Sequence, residues 1–152
     1  MRSSVGVAAS LLLSMAMTQV YASSRNTEPI DQDAIQAIEA KISQAEPRYQ
    51  CFLYARLVDQ VTEVSVKQYA AGDVKKATGL LKKVQQLAQM IERTVTRKDK
   101  RLKNAELLLH NTSFRLTELL RSSNYPDREV VAQTLAQVNQ AERKALIQVF
   151  GN

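Results

Sequence analysis

One cysteine, one histidine and no tryptophan occur among the 152 residues, and each scarcity removes a class of chemistry. With Cys51 alone, no intramolecular disulfide can form, so stability has to come from packing. Free cysteine is among the most buried residue types, which makes an inert core thiol the expectation; an intermolecular bridge and a reactive thiol are the other two readings. His110 is equally isolated. A histidine-based zinc site needs further ligands at close helical spacing, and Glu106, four residues earlier, has no second histidine to join it. A Cys51 and His110 nucleophile pair would lack a glycine-rich approach, an orienting third residue and a strand-to-helix elbow. The Cys-x-x-Cys-His haem attachment motif is absent, and Met90 and His110 could meet as axial ligands only if the chain reversed near residue 100. No catalytic residue, metal site or cofactor is expected.

Glycine and proline are also scarce, at four and three residues. This composition excludes phosphate-cradling glycine loops, and no segment spaces aspartates as a calcium loop does. Asp31 and Asp33 are better explained by the helix dipole, which favours negative charge in a first turn. No repeat at the spacing of tetratricopeptide proteins is present.

What glycine and proline there are fall between periodic stretches. Pro29, Pro47, Gly72 and Pro126 punctuate segments rich in Ala, Leu, Gln, Glu, Lys and Arg, the residues that lose least on entering a helix. No segment alternates like a strand. The spacing predicts a first helix over 31–46 with Asp31 as its N-cap, and a second over 48–71 with Phe52, Leu53, Leu57, Val58, Val61 and Val64 as a core-facing stripe. Asp73 can cap the next helix. From 73 to 122 the simplest reading is one long helix: Leu81, Ala88, Val95, Leu102, Leu109 and Leu116 form one seven-residue column, and Val84, Ile91, Ala105 and Leu119 a second. Lys98 and Thr112 interrupt the second column, and a hairpin tip at 97–101 is the alternative. The continuous helix is preferred because the pattern stays in phase across that run. Asp127 should cap a last helix over 128–149, with Val131, Leu135, Val138, Ala145 and Val149 on one face. The expected fold is all-α, four to five antiparallel helices, with helices 48–71 and 128–149 packed on the two halves of the long helix 73–122.

The N-terminus has a different character. Arg2, the apolar run from Val5 to Met17, and the small residues Val20 and Ala22 follow the order of a cleavable secretory signal. The run is too short to span a bilayer, which takes about 20 apolar residues. No cysteine marks the junction for lipid attachment. The expected organisation is a signal peptide over 1–22, a flexible segment over 23–30 and one helical domain over 31–150, secreted or periplasmic, with no stable membrane anchor after cleavage.

Charge is the remaining feature. The chain has 21 Lys and Arg against 15 Asp and Glu, a net +6, of which one unit sits on Arg2. Arg93, Arg97, Lys98, Lys100, Arg101 and Lys103 form a cluster countered locally only by Asp99. It reads either as a solvated helical face or as a contact for an anionic surface. Without interleaved aromatics to stack bases, and with export expected, nucleic acid is not the expected partner. Asn111-Thr112-Ser113 matches a glycosylation acceptor but falls inside a predicted helix.

These features point to an exported helical protein that works by contact, as an interaction, scaffold or chaperone-like protein. The apolar seam on 73–122 is the motive, offering more helix length than one neighbour covers and so room for a protein partner or a second copy. An enzyme or cofactor carrier with a site assembled across helices is one alternative. An adaptor that binds anionic envelope components weakly through the basic cluster is the other.

Overall fold

A computed structural model of the chain describes residues 28–124 and 127–151. The expected signal peptide, most of the segment that follows it, and Tyr125 and Pro126 lie outside the described residues. Five helices follow in order: α1 (Glu28–Gln44), α2 (Pro47–Ala70), α3 (Val74–Thr94), α4 (Leu102–Ser122) and α5 (Arg128–Phe150). No strand occurs among the described residues. The fold is all-α, as the periodicity predicts.

Two helix starts differ from expectation. α1 begins at Glu28, which places Pro29 in its first turn, where a missing N–H leaves no bond unmade. Asp31 is therefore inside the helix rather than capping it, and its carboxylate pairs with Lys67 of α2 at 3.3 Å. Pro47 does not end the first helix either; it opens the second at its first position. Gly72 turns the chain in the left-handed region at φ 82°, and Asp73 then caps α3 by accepting the Lys76 N–H at 3.0 Å. Asp127 stands at the start of α5 but accepts no capping bond.

The single long helix is the main correction. The chain leaves helical geometry after Thr94 and re-enters it at Leu102. Carrying a helix through would stack Arg93, Arg97 and Arg101 at i, i+4, where like charges repel, and would set Lys98 in the apolar column. Instead Thr96 to Asp99 makes a turn. Asp99 donates its N–H to the Thr96 carbonyl at 3.1 Å, and its carboxylate accepts the Thr96 N–H at 2.8 Å. The Lys100 N–H donates to the Arg48 carbonyl at 2.7 Å, which ties the turn to the start of α2. Arg101 reverses the chain at φ 57°, a conformation that costs a residue with a side chain about 1–2 kcal/mol.

The two arms do not pack on each other. α2 and α5 each touch both α3 and α4, and α1 packs on α2. α3 and α4 thus occupy opposite corners of a four-helix bundle, with the 95–101 connection crossing its end. Seven extended residues reach about 23 Å, enough for a diagonal when neighbouring axes lie about 8–10 Å apart. Helices adjacent in sequence run antiparallel, as the Ser113 to Glu142 and Arg128 to Leu120 bonds show for α4 and α5. The two remaining seams are parallel: Phe52 meets Arg101 and Asp59 meets Arg115 between α2 and α4, and Gln85 meets Thr134 between α3 and α5.

Both seven-residue columns are buried inside this bundle. Leu81, Val84, Ala88, Ile91, Ala105, Leu109 and Leu116 are all 0% exposed, and fully burying a side chain of Leu or Ile size contributes about 1.5–3 kcal/mol. Val95 and Leu102, at the two edges of the turn, close the core at that end with 9% and 8% exposure. α2 and α5 supply the facing residues, among them Leu57, Val58, Val61, Val131 and Val138. The seam expected to seek a partner is filled by the chain itself. Nitroxide labels at Lys82 and Glu118 provide a check. A continuous helix would hold them about 54 Å apart, whereas the diagonal hairpin predicts a pulsed-resonance distance under about 35 Å, from axial spacings of about 8–10 Å.

Candidate anion-binding end of the bundle

The turn gathers the six sequence-predicted cations at one end of the bundle. Arg93 comes from the last turn of α3, Arg97, Lys98, Lys100 and Arg101 from the connection, and Lys103 from the first turn of α4. All six are exposed, and none has a carboxylate within salt-bridge distance among the described residues. Asp99, the local carboxylate, is committed to the Thr96 N–H. Two helix starts, of α2 and α4, and three helix ends, of α1, α3 and α5, meet here, so the backbone dipoles add no net positive potential. The potential of this end comes from side chains.

Folding adds residues that the charge run does not contain. Arg101 places its guanidinium 4.0 Å from the centre of the Phe52 ring, and Arg56 lies 6.0 Å from the same ring. Lys103 reaches the Phe150 ring at 5.9 Å. Arg97, Arg101 and Lys103 line a shallow cavity of about 390 Å³ with Asn104 and Gln148. Arg48 also stands at this end but is paired with Glu46 at 2.9 Å. Phe52 reads in sequence only as a core residue; that it carries two guanidiniums depends on α4 lying beside α2.

Cys51 lies behind this face. It is 2% exposed, and burial, aided by the negative charge of Asp99, pushes its thiol up to about 12. At neutral pH it is a protonated core group, matching the expected inert role and withholding the thiolate that a nucleophile needs. His110 is elsewhere, on the exposed face of α4 towards α5, where its Nδ1 meets Glu142 Oε1 at 2.9 Å. The other oxygen of Glu142 accepts the Ser113 hydroxyl at 2.9 Å. The structure does not bring Cys51 and His110 together. Met90 and His110 fare no better: the chain reverses, but their helices take opposite corners.

Other polar side chains tie the seams. Arg115 donates to the carboxylate and carbonyl of Asp59 at 3.0 and 3.3 Å, and the Thr112 hydroxyl donates to the same carboxylate at 3.2 Å. Thr112, which interrupts the second apolar column, is buried and also bonds the Leu108 carbonyl. That burial places the middle of the Asn111-Thr112-Ser113 acceptor inside the bundle. A second open cavity of about 320 Å³ lies at the opposite end beside Tyr69, whose hydroxyl is buried without a hydrogen-bond partner. Burial and Asp127 raise its phenol above the usual range. No group of three metal-ligating side chains occurs among the described residues, and no helix there is long and apolar enough to cross a membrane.

Fold and charged face together define a four-helix bundle with an appended N-terminal helix and one cationic end. Comparison of the chain with family models, curated proteins and solved structures finds no match.

Glu142 raises the His110 imidazole above its ordinary value, chiefly through their hydrogen bond and with a smaller contribution from Glu106. A folded value above the unfolded one stabilises at pH below the unfolded value of about 6.5 and ceases to do so as pH rises through the folded value. The stability advantage over His110→Gln should therefore be largest near pH 5.5 and lost by pH 9. An NMR titration should place the His110 midpoint above that of Glu142→Gln.

Proposed function

We propose that this is an exported, non-catalytic binding protein that acts by contact, and that its contact face is the cationic end of the bundle, directed at a polyanionic surface. One observation carries this reading. Six exposed cations crowd a connection of a few residues, and no carboxylate pairs with any of them among the described residues. Elsewhere the cations are spread over the helices and several are matched, as in Lys67 with Asp31 and Glu63, Lys83 with Glu39, and Arg115 with Asp59. Unmatched like charges repel, which disfavours the compact state. An anionic surface relieves that repulsion and releases its own counterions. With the apolar seam filled, this end takes over from the seam as the motive for a contact function.

Export supports an anionic envelope component as the target. The argument for export rests on residues 1–22 alone: one cation, a short apolar run and a small-residue junction. The expected outcome is a mature chain starting at Ser23, which intact-mass measurement of the protein recovered from outside the cytoplasm would check. A chain found there with Met1 still attached would remove the cleavable signal.

Heparin affinity chromatography tests the contact face. The double substitution Lys98→Glu and Lys100→Glu should elute at clearly lower salt than the unaltered protein. Lys75→Glu with Lys82→Glu changes net charge equally at exposed positions outside the cluster, and should shift elution far less. Equal shifts from the two pairs would reduce the cluster to a solvated face.

A further inference from the structure

We propose that the groove running from α1 across α2 to α4 is a binding site for a single anionic amphiphile: an alkyl chain ending in a carboxylate or phosphate. The site meets the polyanion contact at Arg101 but extends away from it, since neither Lys98 nor Lys100 lines it. Phe52 sits at its centre. The ring is 7% exposed because the guanidinium of Arg101 lies over it at 4.0 Å and that of Arg56 approaches at 6.0 Å. Both arginines line the two lobes that open on either side of the ring, one of about 260 Å³ between α2 and α4, the other of about 440 Å³ between α1 and α2.

The polar half of the ligand follows from what these arginines lack. A guanidinium presents five N–H donors in a fork that matches a carboxylate or phosphate. Neither the Arg56 nor the Arg101 guanidinium has a hydrogen bond or ion pair to a protein group among the described residues. Arg101 is also held in place by its backbone, at φ 57° and next to the Lys100 to Arg48 bond. The aromatic face therefore holds the Arg101 guanidinium at 4.0 Å while its donors stay free. Glu46 also lines the larger lobe, but its carboxylate is paired with Arg48 at 2.9 Å, and Lys41 adds a third cation at the rim of that lobe.

The apolar half follows from the floor. Ala45, Tyr49 and Leu53 line the larger lobe, with Tyr49 37% exposed; Leu107, 54% exposed, lies in the smaller. Covering such surface with an alkyl chain is favourable in proportion to the area removed from water. The occupant is identified by the pairing of free guanidiniums with an adjoining apolar floor, and the α2 lining is short, from Tyr49 to Phe52 and Arg56, two helical turns or about 10 Å.

Isothermal titration of the full-length or naturally processed protein with dodecanoate below its micellar concentration is the test, with dodecanol and inorganic phosphate as the two half-ligands. Dodecanoate should bind one to one, and dodecanol and phosphate at least about tenfold more weakly, because each supplies half of the recognition. Arg101→Gly removes the guanidinium while suiting the positive φ, and Arg56→Gln alters an exposed side chain, so both variants should keep the native circular dichroism spectrum. Each should weaken dodecanoate by about tenfold, and Tyr49→Glu should do the same by adding to the larger lobe a carboxylate that, unlike Glu46, has no paired arginine. Lys98→Glu with Lys100→Glu should leave dodecanoate binding nearly unchanged, which separates this site from the polyanion face. Absence of dodecanoate binding, equal affinity for dodecanol, or indifference to both arginine substitutions would overturn the proposal. Tight binding of an amphipathic Glu/Leu helical peptide that dodecanoate fails to displace would overturn it in favour of a protein ligand.

Discussion

The turn at 95–101 is the constraint on which the architecture depends. It contains no glycine or proline, and three bonds within it or to α2 hold its backbone: the Thr96 N–H to the Asp99 carboxylate, the Asp99 N–H to the Thr96 carbonyl, and the Lys100 N–H to the Arg48 carbonyl. The last of these bonds sets the start of α4 beside the start of α2. From there α4 has to rise parallel to α2, and α3 is displaced to the opposite corner. The remaining corner belongs to α5, which returns antiparallel to α4 and parallel to α3. One local reversal thus decides which helices are neighbours.

Register along the seams depends on a sparse set of polar contacts inside an otherwise apolar core. Asp59 with Arg115 and Thr112 joins α2 to α4; Glu142 with Ser113 and His110 joins α5 to α4; Gln85 with Thr134 joins α3 to α5; the Ser65 hydroxyl reaches the Ala77 carbonyl between α2 and α3. Apolar packing tolerates sliding by a turn at modest cost, but a half-buried hydrogen-bonded charge does not, because a slip strands it without a partner. The same contacts hold Asp59, Thr112 and Glu142 at the seams, Cys51 is buried in the core, and six unmatched cations gather about the turn.

Much of the fold was legible in the residues. Punctuation by Gly72 and Pro47 and the apolar periods locate the helices within a few positions, and every member of the two seven-residue columns is buried. The long helix was misread for a physical reason. The connection from Val95 to Arg101 is seven residues, one full heptad, so the columns on either side stay in phase whether or not the chain reverses between them. The repulsion among Arg93, Arg97 and Arg101 was the signal that periodicity masked. The cationic cluster was also legible, since its members are contiguous. Phe52 and Arg56 were not, because they join Arg101 only when α2 and α4 are brought side by side.

Composition and spacing by themselves determined an all-α chain with a helix-rich core, a lone cysteine and a concentration of positive charge near residue 100, because each depends on local propensity, periodicity or proximity in sequence. Tertiary structure decided that the apolar seam is consumed internally, that His110 faces Glu142 and not Cys51 or Met90, and that Arg56 and Arg101 share one aromatic ring. Those outcomes rest on which helices become neighbours. A local pattern states which face of a helix is apolar, but the partner for that face is chosen by the turn that aims it.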